Sequence, residues 1–295
     1  MSDKSNPNEN EPETTGHEWD GIREYNNPLP RWWVWIFYAT IIWGLGYTIA
    51  YPAWPLIERA TPGLLGFSTR ALVAEDIAAV EEANAALKAQ LAEVDLAALG
   101  ENEELASFAV NAGASVYLAN CSQCHGSGAA GAEGFPNLLD DAWLWGGTIE
   151  EIAYTVTHGI RNEQSFDAHW SEMPAFGRDE ILTDEEIGQV VQHVLAISGQ
   201  EHDATAAEAG AQLYLDQCAS CHMEDGEGNT LLGAPALNDA IWLYGGDAET
   251  ITESVQASRF GVMPAWSEEF RPSSGLDQAE INAVAAYVHQ LGGGQ

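Results

Sequence analysis

The sequence has few basic residues, and this shortage limits the partners that it can bind. It contains 10 Lys and Arg against 45 Asp and Glu in 295 residues, which gives a formal net charge of −35. A chain of this sign repels the phosphate backbone, so nucleic acid is excluded as a partner. The charge favours a basic protein partner and would steer it at low salt, although net charge can also serve solubility alone.

Cysteine is also scarce, and its few copies fall in one repeated pattern. Every cysteine belongs to one of two C-x-x-C-H motifs. The motif residues are Cys121, Cys124 and His125 in the first copy and Cys218, Cys221 and His222 in the second. C-x-x-C-H is the attachment signature of c-type haem, in which two thiols bind one porphyrin and the histidine supplies an axial nitrogen. The sequence therefore predicts two covalently bound haem c groups.

Three other uses of the cysteines are less consistent with this pattern. Zinc ribbons separate two C-x-x-C pairs by about 15–20 residues, whereas the whole stretch 125–217 lies between these pairs. A thioredoxin-like redox pair does not require a histidine after the second cysteine, and neither do structural disulfides. We therefore interpret both motifs as haem sites.

Methionine is nearly absent, which narrows the choice of the second axial ligands. Met1 is the initiator, and Met223 directly follows a haem histidine and cannot reach the opposite haem face. The remaining two, Met173 and Met263, each precede proline and alanine, one after each haem motif. Methionine is a usual sixth ligand of electron-transfer cytochromes. We predict that Met173 and Met263 bind the two irons.

Two histidines offer an alternative ligand for the first iron. His158 and His169 lie between the first haem motif and Met173. The second repeat has no equivalent of either, so repeat symmetry favours methionine at both irons.

Four further side chains are candidates for contacts with haem propionates. They are Trp143, Trp242, Arg161 and Arg259. A buried indole N–H usually finds a polar partner, and a guanidinium pairs well with a carboxylate. Core packing of the tryptophans and simple surface exposure of the arginines are the alternatives.

One long apolar segment predicts a membrane anchor. Residues 32–51 contain no charge, and 20 helical residues span about 30 Å, the thickness of a hydrocarbon core. Tryptophan and arginine at the first end, and tyrosine, tryptophan and arginine at the second, are typical of membrane interfaces. No small-residue cleavage site follows, so we expect an uncleaved anchor rather than a signal peptide.

The segment after the anchor predicts a long helix with a heptad seam. Across residues 69–99 the seam positions are Val73, Ile77, Val80, Asn84, Leu87, Leu91, Val94 and Ala98. Such a seam either docks on a helix of another subunit or packs on the chain's own domain. Its short length favours the second interpretation.

The remaining chain is an internal repeat that predicts two small all-α cytochrome c domains. Gly113 and Tyr117 recur as Gly210 and Tyr214. Each repeat closes with a helix that begins with a capping box, Thr183 with Glu186 and Asp277 with Glu280. The positions expected to face inward are Ile187, Val190, Val191 and Val194 in the first and Ile281, Val284, Val288 and Leu291 in the second. Each domain is expected to build its own core around its own haem, and residues 198–208 are the expected linker. The predicted organisation is a tail at 1–30, a transmembrane anchor at 31–56, a linker helix at 57–103, and cytochrome c domains at 104–199 and 204–295. The tail is polar and predicted to be mostly flexible. Residues 16–22 and 26–30 mix aromatic and turn residues and are expected to be more ordered.

These features together resemble the dihaem subunit III, or FixP/CcoP family, of cbb3-type cytochrome c oxidase. The residues that carry the resemblance are the tail motifs 17–22 and 26–30, Trp32 and Trp33, the single span, and the two class I cytochrome c domains. The resemblance implies an electron-transfer subunit that accepts electrons from a periplasmic cytochrome c. It would pass them to a monohaem subunit and then to the haem–copper catalytic subunit, which reduces oxygen and pumps protons.

The resemblance also implies the location, because basic residues flank the span equally and do not orient it. Haem is attached to c-type cytochromes outside the bacterial inner membrane. We therefore expect a cytoplasmic N-terminus and periplasmic haem domains. A free-standing membrane-anchored dihaem carrier and, with less support, a dihaem peroxidase are the alternative functions.

Overall fold

The computed structural model describes residues 13–292, which divide into two compact units between Ala83 and Asn84. The described chain is mostly helical, as the sequence predicts. Each unit is considered by itself below.

The first unit begins with a β-hairpin. Strand β1 covers Thr14–Trp19 and pairs antiparallel with β2, Ile22–Tyr25. Asp20 and Gly21 form the turn with φ of 50° and 86°, which matches the two positive φ values of the tight hairpin turns that favour Asp-Gly. The hairpin contains residues 16–22, the part of the tail expected to be more ordered, and extends to residues 14–25. Residues 1–12 lie outside the described part.

Helix α1 covers Arg31–Ala50 and agrees with the uncharged segment 32–51 to within one residue at each end. It ends before the predicted anchor boundary at residue 56. None of its side chains is buried, and its composition is apolar enough for a membrane span. Lipid is the environment in which a helix with apolar side chains on every face is stable. The helix ends before Pro52, which cannot continue its hydrogen bonding.

Helix α2, Thr69–Glu93, ends earlier than the heptad pattern predicts. A separate 3₁₀ helix, Leu96–Glu101, follows it, with Asp95 accepting a hydrogen bond from Ala97 N–H as its N-cap. Val94 and Ala98 are therefore not part of one continuous seam. Val73, Ile77 and Val80 are more than half exposed.

The second unit contains the C-terminal part of α2 and the two repeats. Its helices are α3 Glu103–Asn120, α4 Ser122–His125, α5 Ile149–His158, α6 Asp184–Ile197, α7 Ala204–Gln217, α8 Ala219–His222, α9 Ala248–Ala257 and α10 Gln278–His289. The element order repeats as predicted, with α3–α6 followed by α7–α10.

The packing of these helices differs from the expectation that each repeat builds its own core. Helix α3, which begins the first repeat, packs against α10, which ends the second. Helix α7, which begins the second repeat, packs against α6, which ends the first. The two repeats have therefore exchanged their closing helices inside one chain.

The short connection between the repeats accounts for this exchange. Helix α6 ends at Ile197 and α7 begins at Ala204, so the linker is only residues 198–203 rather than 198–208. A loop of this length makes consecutive helices antiparallel neighbours. Helix α7 therefore packs on α6, and α10 is left to pair with α3.

A glycine stands at each helix crossing. A Cβ at Gly113 of α3 would collide with the carbonyl oxygen of Ala283 on α10. A Cβ at Gly210 of α7 would collide with the carbonyl oxygen of Gln189 on α6. The repeated glycine is thus explained by close backbone approach at the two exchanged contacts.

The closing helices begin and face the core as predicted. Both capping boxes are present, Thr183 with Glu186 and Asp277 with Glu280. The predicted inward residues that are buried are Ile187, Val190, Val191 and Val194 on α6 and Ile281, Val284 and Val288 on α10. Leu291, also predicted to face inward, lies beyond the end of α10 and is half-buried.

Helix α2 is joined to α10 at its C-terminal end. Leu91 is buried, and its carbonyl oxygen accepts a 2.7 Å hydrogen bond from Asn282 Nδ2. Lys88 forms a 2.7 Å ion pair with Asp277. The C-terminal part of the seam therefore packs on the chain's own unit, which the sequence analysis favoured.

Candidate haem sites

Each C-x-x-C-H motif follows a long helix and lies in apolar surroundings. Helix α3 ends at Asn120 and α7 ends at Gln217, immediately before the first cysteine of each motif. His125 Nδ1 donates a 3.0 Å hydrogen bond to the carbonyl oxygen of Pro136, and His222 Nδ1 a 2.9 Å bond to that of Pro235. This bond fixes the ring tautomer and leaves Nε2 free to bind a metal.

A buried tyrosine holds the turn after each motif. Tyr117 donates to the carbonyl oxygen of Gly126 at 2.7 Å, and Tyr214 donates to that of Met223 at 2.9 Å. Burial raises the pKa of both tyrosines to about 12. Both phenols therefore remain protonated donors at neutral pH.

The buried cysteines are poor candidates for a zinc site or a redox pair. Burial, with a smaller effect of the neighbouring cysteine, raises the pKa of Cys121 and of Cys218 to about 11. Metal-binding and nucleophilic cysteines need a thiolate, which a lowered pKa provides. Within residues 13–292, no three His, Cys, Asp or Glu side chains come together as metal ligands.

The first cavity joins residues of both repeats. Cys121 and His125 lie on one side, and Met263 from the second repeat also lines it. The lining contains no acidic or basic side chain other than His125. Met263 exchanges two backbone hydrogen bonds with Ile160, at 2.9 and 3.0 Å, which hold the Met263 segment against the first repeat.

The second motif has the reciprocal arrangement, in an apolar core cluster. Cys218 and Met173 belong to one apolar cluster, built mainly from α6 and residues of α7 and α9. Ser258 Oγ donates a 2.5 Å hydrogen bond to the carbonyl oxygen of Met173, and Phe176 N–H donates to Val255 at 3.0 Å. The Met173 segment of the first repeat is therefore fixed to the second.

The two predicted tryptophans occupy equivalent positions beside the cavities. Trp143 lines the first cavity and packs on Gly147, while Trp242 joins the second cluster and packs on Gly246. Trp143 Nε1 is buried without a hydrogen-bond partner among the described residues. An unpartnered buried donor in a haem cavity fits a propionate acceptor. Trp145, which the sequence analysis did not single out, also lines the first cavity.

The two predicted arginines contact other protein groups. Arg161 donates to the carbonyl oxygens of Gly261 and Ser171 at 2.7 and 2.8 Å, and burial lowers its pKa. Arg259 bonds Ser254 and the carbonyl oxygen of Thr250 and forms an ion pair with Glu253. These contacts join the Met263 segment to the first repeat and brace the end of α9.

The two alternative histidines do not line the first cavity. His158 Nδ1 lies 3.0 Å from Ser165 Oγ, and His169 Nε2 lies 3.2 Å from Thr155 Oγ1. Burial, reinforced by His158, lowers the pKa of His169. Both rings therefore have hydroxyl partners, while Met263 reaches the cavity itself.

Three family models match consecutive parts of the chain. Residues 11–58 match the N-terminal domain of cytochrome oxidase-cbb3, FixP. Residues 108–194 match cytochrome c oxidase, cbb3-type, subunit III, and residues 207–292 match cytochrome c.

Curated relatives match the chain over nearly its full length. The cbb3-type cytochrome c oxidase subunit CcoP of Cereibacter sphaeroides is 58% identical over 97% of this chain and 96% of its own. CcoP of Rhodobacter capsulatus is 53% identical over 97% of both chains, and FixP of Azorhizobium caulinodans is 50% identical over 96% and 94%. Two cytochrome c domains in such a subunit carry two covalent haem c groups. The chain belongs to the CcoP/FixP family, the membrane-anchored dihaem subunit III of cbb3-type cytochrome c oxidases.

Proposed function

We propose that this subunit accepts electrons from a donor cytochrome c and passes them, through a monohaem cytochrome c subunit, to the haem–copper catalytic subunit. The observation that carries the proposal is a single compact unit in which each C-x-x-C-H motif lies with a methionine in apolar surroundings, a cavity for Cys121 and Met263 and a core cluster for Cys218 and Met173. The unit follows one helix that can cross a membrane. Oxygen reduction and proton pumping then belong to the partner subunits.

The proposed iron ligands cross between the repeats. His125 and Met263 would bind the iron of the haem held by Cys121 and Cys124. His222 and Met173 would bind the iron of the haem held by Cys218 and Cys221. Two backbone hydrogen bonds join Met263 to Ile160, and the Ser258 hydroxyl donates a hydrogen bond to the carbonyl oxygen of Met173. Both contacts support this pairing.

When bound, the haems would supply the redox chemistry. The protein's residues would hold the haems, orient their ligands and set their potentials. Cysteine thiols anchor the porphyrin edge, and the Pro136 and Pro235 carbonyls orient the axial histidines. The apolar lining excludes water, and methionine ligation raises the potential relative to histidine. Trp143 would donate to a propionate in the first cavity, and Trp242 would do so in the second. The same role remains a prediction for Arg161 and Arg259.

A ligand exchange in single-haem backgrounds tests the crossed pairing. With Cys218 and Cys221 changed to alanine, Met263→His should lower the potential of the remaining haem, and Met173→His should leave it unchanged. With Cys121 and Cys124 changed instead, the two effects should be reversed. Potentials and low-spin electron paramagnetic resonance signals give the readout. A response to the methionine of the same repeat would disprove the crossed pairing.

Gentle purification tests the role in the complex. We expect the subunit to bring haem b and copper with it from the membrane, because a cbb3-type oxidase contains a haem–copper subunit. A dihaem protein without these partners would favour the free-standing carrier. An open iron that binds peroxide would favour the peroxidase, which the methionine at each cavity argues against.

We further propose that the subunit is a single-pass protein of the bacterial inner membrane with its haem unit in the periplasm. The supporting observations are the helix Arg31–Ala50 and the two haem motifs that follow it. Protease added outside spheroplasts should cleave the haem unit and spare the N-terminal hairpin. The reverse pattern would contradict this orientation.

A further inference from the structure

An aromatic side chain connects the first haem cavity to the loop that holds the second axial histidine. Trp145 lies in the segment between the first haem motif and α5, lines the first cavity and is only 9% exposed. Its position in the repeat corresponds to Tyr244. One side of Trp145 therefore faces the first haem site. Its remaining contacts are with residues outside this cavity.

The far edge of the Trp145 indole lies on the backbone of Gly233. A Cβ at Gly233, where φ is +60°, would collide with the six-membered ring of the indole. A glycine at such a contact permits close approach of ring and backbone. Two residues later, the carbonyl oxygen of Pro235 accepts the 2.9 Å hydrogen bond from His222 Nδ1. The chain from Gly233 to Pro235 and the hydrogen bond to His222 form a continuous path. Only the non-bonded contact between the Trp145 ring and Gly233 separates this path from the first cavity.

The indole is held rigidly in this position. It stacks on His169 with ring centroids 4.4 Å apart and an angle of 15°. Trp145 Nε1 is buried without a hydrogen-bond partner among residues 13–292. The side chain is therefore fixed by packing on both sides rather than by a polar anchor within the protein.

The equivalent ring contact in the other direction is less close. A Cβ at Gly134 would lie 3.3 Å from the Tyr244 ring, a tight contact rather than a collision, and Gly134 N–H donates a 2.9 Å hydrogen bond to the backbone carbonyl oxygen of Leu243. Substitution of the Tyr244 side chain leaves this backbone bond in place. Tyr244 is half-buried and lies beneath the Arg259 guanidinium, 4.7 Å from it. The aromatic contact between Trp145 and Gly233 is therefore closer than the equivalent contact between Tyr244 and Gly134.

We propose that Trp145 is the side chain through which the two haems exchange electrons. The path runs from the first haem through the indole to Gly233, Pro235 and His222 at the second. One electron leaves a ferrous iron and reduces the ferric iron at the other end, while no bond forms or breaks and the indole keeps its charge. The inference rests on the proposed function only in requiring two redox-active haems in this chain.

The test compares Trp145→Leu with Tyr244→Leu in the full-length dihaem protein. After photoreduction by less than one electron equivalent per protein, transient absorbance gives the rate of electron equilibration between the haems. Redox titration of each variant gives both potentials, so a change in driving force is separated from a change in path. We expect several-fold slower equilibration in Trp145→Leu with both potentials retained, and a rate like that of the wild type in Tyr244→Leu.

A second variant covers the case in which Trp145→Leu fails to bind haem. Trp145→Phe keeps an aromatic ring against His169 but is too short to reach Gly233, so equilibration should slow in this variant too. A rate equal to the wild type in either haem-loaded variant would overturn the proposal. Equal slowing in Tyr244→Leu would also overturn it, since packing in general would then be responsible.

This measurement needs no partner subunit. Failure of the proposed function would instead appear as normal equilibration between the haems with no electron delivery to the catalytic subunit. The isolated subunit therefore tests the path between the haems, and the assembled oxidase tests the proposed function separately.

Discussion

At the scale of single residues, the environment of each histidine decides its chemistry. His125 and His222 donate Nδ1–H to a proline carbonyl and present Nε2 to a cavity. His193 lies on α6 against Tyr214, with ring centroids 5.0 Å apart, and serves packing. Burial lowers the pKa of His193 below its ordinary 6.5, and a backbone hydrogen bond with Ala207 offsets part of this effect.

The lowered pKa of His193 predicts loss of stability in mild acid. In the unfolded chain the ring takes up its proton near 6.5, whereas the folded protein takes it up only at lower pH. Between these values the unfolded state binds more protons, so the free energy of unfolding falls as pH decreases. His193→Gln should weaken the decrease of Tm of the holoprotein between about pH 7.5 and 5.5.

The exposed His202 provides the control for this measurement. His202→Gln makes the same substitution at an exposed position and is measured beside His193→Gln. His169, whose pKa burial also lowers, contributes in the same direction, so some dependence should survive in His193→Gln. An unchanged slope in His193→Gln would contradict the assignment.

At the scale of helices, the crossing of α3 and α10 depends on the absence of a side chain. Gly113 lies within α3 and faces the Ala283 carbonyl on α10, whereas Gly188 lies within α6 and has open space where a Cβ would be. The same substitution at these two helical glycines should therefore have opposite effects.

Gly113→Ala should lower the free energy of unfolding by about 1–3 kcal/mol, because the added methyl group overpacks the crossing. Gly188→Ala should raise it by about 0.5–1 kcal/mol, because alanine favours helix over glycine. Denaturant titration of the oxidised holoprotein measures both. If the two substitutions changed stability alike, the α3–α10 crossing would not be as close as described.

The attachment of α2 to α10 gives a second prediction at this scale. Asn282 is 3% exposed and donates to the Leu91 carbonyl at 2.7 Å. Asn282→Ala would leave this buried acceptor unsatisfied, which costs about 1–3 kcal/mol. Denaturant titration should show this loss without a change in either haem potential. A shifted potential would mean that Asn282 acts on a haem site.

At the scale of the whole molecule, the exchanged helices decide which haem a truncation removes. Helix α10 contributes Ile281, Val284 and Val288 to the apolar cluster around Cys121. The cluster around Cys218 is completed by α6 instead. A chain that ends after Ser274 should therefore perturb the first haem and spare the second.

The measurement uses the two single-haem backgrounds described above. Truncation should abolish the normal absorbance and potential of the haem at Cys121 and Cys124, while the haem at Cys218 and Cys221 keeps both. Two independent domains in sequence order would give the opposite result. The comparison thus distinguishes an exchanged from an unexchanged fold.

The net negative charge of the subunit predicts how the rate of association with its electron donor depends on salt. With a net charge of −35, association with a basic cytochrome c should slow steeply as salt is added. The Debye length falls from about 30 Å at 0.01 M to about 10 Å at 0.1 M ionic strength. Stopped-flow reduction at increasing salt measures this dependence, and a rate independent of salt would argue against electrostatic docking.

The sequence by itself determined the anchor, the haem motifs, the repeat and the capping boxes. Each of these is a local pattern, readable from hydrophobic run length, fixed spacing or an N-cap with its partner three residues on. The resemblance of its motifs to one family was equally local and was confirmed by the full-length relatives. It did not reveal the early end of α2 at Glu93 or the hairpin at 14–25.

Only the tertiary structure decided which elements pack together. The pattern of α10 predicts a buried face but not whether that face covers α3 or α7, because both helices present the same glycine and tyrosine. The linker at 198–203 makes α6 and α7 neighbours, and this long-range consequence brings Met263 to His125. Trp145 became visible as a contact between the two repeats for the same reason, since Gly233 lies far from it in the sequence and close to it only in the folded chain.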